Sequence, residues 1–563
     1  MNKFLRTLVF CTLSIVGNSL YAQSIDSLST QVIQVNTTYN PTVEEAFRIS
    51  SDPNASSKIQ IKNPELNYGI LPIAVASTFN PEKGRVNRLD ILNPSEQFEN
   101  YFYAGFGTNG MPEISAVLNP STENHLFEVY ANYFGTDGGV PDALTEVKSN
   151  RANLSIMHEF ESEKIVWNSG ISYSMQGQNY YGIRPDYTPN EADLSLLNEI
   201  NYQNNITLDI QADFSELPVS SARLSAESSF DSYQSIEYLL NLGADFEYLT
   251  ESIALVAPID FTYEDLRFET GKEYRYFDTT ISPSFSWSSF GLFYLNIGAE
   301  IHLFNQLVNQ ESQFYIYPDM SLNYLLTESL SLGVNFSGQL NAHSYAEVFS
   351  INAFVAPDLD FRPSDTPYDI NAQMNLELKG LSLRFKGGYR ITNDAMIFSK
   401  QNASSSENLS YDFSNSFGLL YDNVTTTYFK LEGALPLGNG LALDFMANYR
   451  YFQLENYAFY YNEPEFQSYL GLTYKWNKLQ TNFQVFNASN RYDSIEGFGD
   501  VDPTEVEMDG FVDLNLSAKY ELFKGGNVHL KMNNLLNNNY QEFTDYQVQG
   551  FQILGGFSYL FNF

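Results

Sequence analysis

Apolar and polar residues alternate along most of the chain between residues 99 and 563. From Phe293 to Leu303 every second residue is apolar, and the residues between them are Tyr, Asn, Gly, Glu and His. The same alternation recurs at 441–451 and 512–520. Because the side chains of a strand point alternately to its two faces, each segment predicts a β-strand with one apolar and one polar face. Charged residues return on the polar face of one strand after another, which favours a barrel with a wet interior over a packed sandwich.

The last thirteen residues carry this alternation in its strongest form. Six residues of one parity are aromatic or aliphatic, namely Phe551, Ile553, Phe557, Tyr559, Phe561 and Phe563. The other parity is mostly polar or glycine. A soluble protein rarely exposes such a strand, because unpaired apolar edges aggregate. The pattern is typical of the closing strand of a bacterial outer-membrane β-barrel, and we expect it to pair with the first strand near 101–107.

The positions of turn-forming residues predict the number of strands. Short turns alternate with longer polar connections, such as 216–233 and 490–508. The ten short turns are expected at 119–124, 161–164, 203–205, 249–252, 288–290, 327–329, 379–381, 437–440, 476–478 and 523–526. Each short turn joins two strands, and the two end strands complete a count of about 22. We therefore predict an all-β fold in which residues 99–563 form a transmembrane antiparallel β-barrel.

The composition is consistent with strands crossing a membrane. Aromatic residues make up 15% of the chain, yet the mean hydropathy is −0.27, and no uninterrupted apolar run of the length of a membrane helix follows the amino terminus. A barrel needs only every second residue to face lipid; the alternative is a soluble all-β protein with many short strands. Trp167, Trp287 and Trp476 each lie near an expected short turn, which predicts one aromatic girdle at the periplasmic rim.

The amino terminus has the pattern of a cleaved export signal, which we assign to residues 1–22. Lys3 and Arg6 precede a mostly apolar run, and small residues precede Gln23. We therefore expect the cell outer membrane as the destination. Cys11 is the single cysteine and lies in this signal, so neither disulfides nor thiolate metal sites are expected. The net charge of −37 argues against nucleic acid as a partner, because Lys and Arg supply that affinity.

Residues 23–98 form a separate segment before the barrel. Asn40 and Pro41 predict the start of a short helix over 41–50, since Asn is a favoured N-cap and Pro a favoured first residue. Further prolines favour extended or looped chain after it. A barrel of about 22 strands encloses a wide lumen. We expect this segment to fill the lumen partly, as a reduced plug.

The barrel region resembles TonB-dependent receptors, in a form found in Bacteroidota. The resemblance lies in the strand count, in Asn534–Tyr540 followed by Gly550–Phe557, and in Tyr421–Val424 at the entry to a strand. It covers about four-fifths of the chain and implies a receptor that binds a ligand outside and opens an internal plug when TonB pulls on it. The segment before the barrel is shorter than the family's complete plug. Gln31–Val35 faintly resembles a TonB box, although an ordinary strand is the favoured interpretation.

Motifs of catalysis or cofactor binding are missing from the sequence. Neither a G-x-S-x-G elbow nor a glycine-rich phosphate loop occurs. The histidines lack ligand spacing and are expected in the lumen or in turns; they are His125, His158, His302, His343 and His529. The acidic stretch Asp493–Asp509 could hold calcium but lacks the ordered spacing, so a solvated loop is favoured. We predict no enzyme, no cofactor, and no catalytic, cofactor-binding or metal-binding residue; a dispersed hydrolase site is the less favoured alternative.

Two functions follow from this pattern. The first is transport of a nutrient across the outer membrane by a barrel that resembles TonB-dependent receptors. The second is a non-transporting barrel subunit of a larger outer-membrane assembly or export complex. The expected partners are outer-membrane lipid and lipopolysaccharide, together with TonB or a surface lipoprotein in the first case and other outer-membrane complex subunits in the second.

Overall fold

The computed structural model describes residues 100–562, except for 123, 185–188, 216, 251, 290, 403–408 and 496–503. The predicted signal peptide 1–22, the segment 23–98 and its helix 41–50 lie outside the described residues. Within that part, 27 strands and two short helices alternate along the chain.

The strands follow one another in the order of the sequence. They are β1 Asn100–Gly107, β2 Met111–Leu118, β3 His125–Asp137, β4 Lys148–Glu161, β5 Ile165–Gln178, β6 Asn201–Phe214, β7 Val219–Asp231, β8 Ile236–Leu249, β9 Ile253–Arg267, β10 Glu273–Ile281, β11 Ser284–Ser289, β12 Phe293–Gln306, β13 Glu311–Thr327, β14 Leu330–Asn341, β15 Ser364–Leu378, β16 Leu381–Lys400, β17 Phe417–Gly438, β18 Leu441–Leu454, β19 Phe466–Trp476, β20 Leu479–Ala488, β21 Arg491–Ile495, β22 Thr504–Met508, β23 Phe511–Phe523, β24 Gly526–Asn533, β25 Gln541–Phe543, β26 Tyr546–Gln547 and β27 Gln552–Phe561.

The strands close into one antiparallel barrel of 22 strands. Each barrel strand pairs with its neighbours in the sequence, and β27 pairs with β1, with Tyr103 opposite Ser558. The segments β10 and β11 both pair with β9 and β12, so together they form one interrupted strand. The hairpins β21–β22 and β25–β26 belong to long connections. The predicted strand count and the pairing of the last strand with the first are confirmed.

The outside of the barrel is apolar, as the alternation predicts. In β12, Phe293, Ile297 and Leu303 lie on the outer face with 41–47% of their surface exposed. His302 and Phe304, of the opposite parity, are buried inside. An apolar outer band over a polar interior is the arrangement that lets strands face lipid.

Nine of the ten predicted short turns lie at one end of the barrel, which we call the turn end; the opposite end is the loop end. The prediction of a turn at 203–205 is wrong, because these residues lie inside β6. Their amide side chains bond across the sheet instead, as when Tyr173 donates to Asn204 Oδ1 at 2.8 Å. The turn comes at 215–218, and the expected long connection 216–233 contains β7. The strand count is unaffected, since one hairpin is only displaced.

The three tryptophans lie where the pattern placed them. Trp167 in β5, Trp287 in β11 and Trp476 in β19 are all close to short turns at the turn end, with 37%, 39% and 60% of their surface exposed. Indole rings prefer the boundary between lipid and water, where one side is apolar and the other wet. Their common height on the barrel is therefore consistent with an aromatic girdle.

Two helices interrupt the long connections, α1 (Glu191–Leu197) and α2 (Tyr345–Ile351). Asn190 caps α1 by accepting from the backbone of Ala192 and Asp193, and Ser344 caps α2. Neither of these described helices is long and apolar enough to cross a bilayer.

Candidate functional site at the loop end

Long connections at the loop end fold over the mouth of the barrel and pack together. We call the described residues of 179–200, 342–363, 401–416 and 534–551 the loop cap. Its buried core joins aromatic residues of these connections to the inner wall. The principal cap members are Tyr180, Tyr181, Tyr345, Phe349, Phe354, Phe361, Phe543 and Tyr546. Large aromatic side chains bury much apolar surface each, so this core holds the connections against the barrel.

Tyr546 lies at the centre of the loop cap. Its ring stacks on Phe354 with centroids 3.6 Å apart and meets Tyr181 edge-on at 4.9 Å. Its hydroxyl donates to the carbonyl of Asn415. A Cβ added to Gly182 would lie 2.2 Å from the Tyr546 ring, so only glycine allows the backbone this close. Burial raises the pKa of Tyr546, which therefore remains a protonated donor.

Two acidic residues of the barrel wall hold helix α2. Glu237 of β8 accepts from the backbone N–H groups of Tyr345, at 2.6 Å, and Ala346, at 3.0 Å. The Tyr345 hydroxyl donates to Asp231 of β7 at 2.9 Å. The first N–H groups of a helix have no partner within the helix, so the wall carboxylate satisfies two of them. The cap is thus bonded to the wall as well as packed on it.

A second attachment joins the loop cap to β17. Ala356 N donates to Phe417 O at 2.9 Å, and Phe417 N donates to Phe354 O at 3.0 Å. Val355 and Phe417 are partners in an isolated parallel bridge, and both are fully buried. Tyr180 adds a hydroxyl bond to Val355 O at 2.8 Å.

Two buried cations stabilise the part of the cap that precedes β27. Lys400 is fully buried, forms an ion pair with Asp545, and donates to the carbonyls of Gly182 at 3.1 Å and Thr544 at 3.4 Å. Arg491 is buried as well and donates to the carbonyls of residues 541 and 542. Buried charges are tolerated only when they are paired. No local pattern in the sequence indicates a pairing between residues 145 positions apart.

A cleft of about 690 Å³ opens beside the cap segment 359–363. The β9–β10 and β12–β13 hairpins and an irregular part of β16 form its other walls. Its charged lining residues are Lys272, Glu273, Glu311, Asp360, Arg362, Asp365 and Asp394. Sequence reasoning did not find this cleft, since its walls come from four separate connections and strands.

Below the cap, the inner wall is polar. Arg223 pairs with Asp245 and, at 3.0 Å, with Asp260. Lys531 pairs with Glu113 at 2.7 Å, on the inner side of strands near the closure. Such pairs satisfy charges on the wet face that the sequence pattern predicted.

Three of the five histidines lie where the sequence predicted them, in the lumen or in connections, and two do not. His302 and His529 lie on the inner face and His343 in the loop cap, as expected. His125 and His158 instead lie on the outer face near the turn end, where their rings stack with Phe127 and with each other.

The expectation of a solvated acidic loop is wrong for its first residue. Asp493 is completely buried in β21, and burial raises its pKa to about 6. Glu505 and Glu507 are exposed, and residues 496–503 lie outside the described part. Among the described residues, no group of three or more His, Cys, Asp or Glu side chains is arranged to hold a metal ion.

No family model matches this sequence, and no curated protein matches it. The fold does match solved structures. A variant of the ferric enterobactin receptor PfeA from Pseudomonas aeruginosa is 13% identical, with a TM-score of 0.63 over 82% of this chain and 79% of that one. The FrpB iron transporter from Neisseria meningitidis is 12% identical, with a TM-score of 0.60 over 83% and 82% of the two chains. The ferric-catecholate import receptor Fiu from E. coli K12 is 10% identical, with a TM-score of 0.59 over 83% and 82%. At these identities the likeness shows the fold, a 22-stranded barrel of the kind that outer-membrane transport receptors have.

Proposed function

We propose that this chain imports a nutrient across the outer membrane and that the loop cap is the outer gate of its path. The observation that carries the proposal is the closure of the loop end by packed connections above a polar inner wall. A wide barrel with a wet interior is suited to passage of a hydrophilic solute. The structural neighbours are described as receptors and transporters, which gives no support to the alternative of a non-transporting assembly subunit.

The barrel is expected in the outer membrane after export through the signal peptide 1–22. Its outer face contacts lipid and lipopolysaccharide, and its loop end faces the outside of the cell, since outer-membrane barrels have short periplasmic turns and longer external loops. TonB is the proposed source of energy, acting through the segment 23–98 as a reduced plug. Loss of uptake on deletion of 31–35 would support contact with TonB there.

The nutrient can be identified by growing a strain that lacks the gene with one nutrient at a time in limiting supply. We expect the strain to grow more slowly than the parent only when the transported nutrient is limiting. A strain that lacks TonB should show the same defect. Normal growth on every limiting nutrient, with the barrel purifying in fixed stoichiometry with other outer-membrane subunits, would contradict the proposal.

The gate itself can be tested by tethering the cap to the wall. Val355→Cys and Phe417→Cys together place cysteines on bridge partners, whose Cα separation suits a disulfide. The only native cysteine is Cys11, so no other disulfide competes in the mature chain. We expect uptake to fall in the oxidised double variant and to return with a reductant, while the uptake of each single variant does not change between oxidising and reducing conditions. Undiminished uptake by the fully oxidised barrel would show that this part of the cap does not move.

A further inference from the structure

The cleft beside the loop cap has the dimensions of a small-molecule site. Its volume of about 690 Å³ lies within the range of about 300–1,000 Å³ typical of ligand pockets. It lies at the loop end, which the proposed function places on the side from which a nutrient arrives. Its chemistry can therefore indicate the class of substrate.

Acidic groups exceed basic groups around the cleft. Five of its lining residues carry carboxylates and two carry cations. Both cations are already paired, Lys272 with Asp360 at 3.1 Å and Arg362 with Asp394 at 3.9 Å. Glu311 has neither an ion pair nor a side-chain hydrogen bond among the described residues, and it is exposed. Glu273 is paired as well, with Arg275, which leaves Glu311 and Asp365 as the carboxylates without a cationic partner. A ligand entering the cleft therefore meets a net negative charge from these two groups, which a concave wall concentrates.

The existing ion pairs can yield to a ligand. The side chains of Asp360 and Asp394 are 76% and 54% exposed, and exposed pairs contribute little stability. A ligand ammonium can take the place of the Arg362 side chain on Asp394, whereas Lys272 is also held by a hydrogen bond to the Asp358 carbonyl at 2.6 Å. Behind this wall, one carboxylate oxygen of Asp358 is buried without a hydrogen-bond partner, which adds to the negative potential.

Aromatic and amide groups complete the lining. Tyr315 is half-buried and lines the cleft together with the cap residue Phe361. Gln313 and Asn393 offer amide groups for hydrogen bonds. Aromatic rings attract organic cations through their faces, in addition to the attraction of the carboxylates. A polyanion, including an anionic metal chelate, would be repelled by the same groups.

We propose that this cleft binds a small organic cation that carries two or more amine groups, as the substrate or as the part of it that is recognised first. The biological purpose of this binding rests on the proposed import function. The binding itself does not, because it requires only the folded barrel.

The test is isothermal titration of the full chain in detergent micelles with spermidine, raffinose and citrate as cationic, neutral and anionic probes. We expect spermidine to bind one-to-one and more weakly at higher salt, because exposed charges are screened. The double variant Glu311→Gln with Asp394→Asn should weaken it by about tenfold. Asn tolerates the positive φ of 48° at position 394. Glu505→Gln, an exposed carboxylate of the loop end outside the cleft, is the matched control and should not change the affinity.

Saturable binding of citrate or raffinose without binding of spermidine would overturn the proposal. Equal spermidine affinity in the native chain and the double variant would also overturn it. The same holds if the Glu505→Gln control loses as much affinity as the double variant, because spermidine would then bind to the acidic surface in general. If the double variant fails to fold, Glu311→Gln alone decides, because that side chain has no partner to lose. Intact spermidine binding with unaffected growth of the deletion strain would contradict the import function and leave this inference standing.

Discussion

Single buried charges determine how firmly the loop cap is attached. The Lys400 ammonium donates to one carboxylate and two carbonyls, with Thr544 and Asp545 in one connection and Gly182 in another. The Lys400 side chain is fully buried, so its charge depends on these protein partners. Removing the cation is therefore expected to destabilise the loop cap by more than the loss of three hydrogen bonds alone.

We predict that Lys400→Met loosens the cap. The substitution leaves the Asp545 carboxylate and two carbonyls without their donor, and breaking a buried ion pair by removing one partner costs about 3–5 kcal/mol. Hydrogen exchange of residues 541–548 in detergent micelles should become faster by the corresponding factor. Lys148→Met, which removes an exposed ion pair with Glu146, should leave exchange there unchanged. Unaltered protection in the Lys400 variant would show that packing alone holds this part of the cap.

The limits of sequence reasoning are clearest at the residue scale. Asp493 stood in an expected solvated loop, and no pattern in the sequence indicated that Lys400 would be buried. Both are buried, because each finds its partners in connections far away along the chain. Periodicity reports which face of a strand a residue occupies. It carries no information on how irregular connections pack against each other.

Among the elements, the β21–β22 hairpin has a pH response of its own. Asp493 lies in β21, which belongs to a connection and not to the barrel wall, and burial raises its pKa from 3.8 to about 6. Below pH 3.8 the residue is protonated in both the folded and unfolded states and has no effect. Between the two values the folded state keeps a proton that the unfolded state loses, so stability falls as the pH rises. Above about pH 6 the carboxyl is ionised in both states, and the loss of folding stability no longer changes with pH.

We predict that Asp493→Asn removes this response. The native chain should lose up to about 3 kcal/mol relative to the variant between pH 4 and pH 7, from a pKa difference of about two units. Thermal unfolding of both proteins across this range gives the difference directly. Glu505→Gln, an exposed carboxylate on β22, should follow the native chain at every pH. If the difference in unfolding free energy between the native chain and the Asn variant does not change with pH, then Asp493 does not cause the pH response.

Strands were predicted far better than the connections between them. The last strand, the short turns and the strand count could be predicted because alternation and turn residues are local signals. The displaced hairpin near 203–205 shows the weakness of local signals, since consecutive Gln and Asn residues suggest a turn but also suit the polar face of a strand. The helix α2 and the cleft could not be predicted, because both depend on contacts between distant connections.

For the molecule as a whole, the arrangement of turns and loops predicts an orientation in the membrane. An epitope inserted after Asp142, in the exposed β3–β4 connection, should be labelled by antibody on intact cells. The same epitope inserted at Asn477–Lys478, in the β19–β20 turn, should be labelled only after the outer membrane is permeabilised. Short turns face the periplasm in outer-membrane barrels. Labelling in the reverse pattern would invert the assignment of the outer gate and the cleft.

The pairing of β1 with β27 has a consequence for how the chain folds. Asn100 donates from its side chain to Phe561 O at 3.1 Å, across 461 positions of sequence. Most other strand pairs join neighbours in the sequence, so they can form as soon as each hairpin is available. The closing pair must wait for the final strand, and contacts of such high sequence separation form slowly. Until then both outermost strands keep unpaired edges, so the step that completes the barrel is also the step that ends its exposure to aggregation.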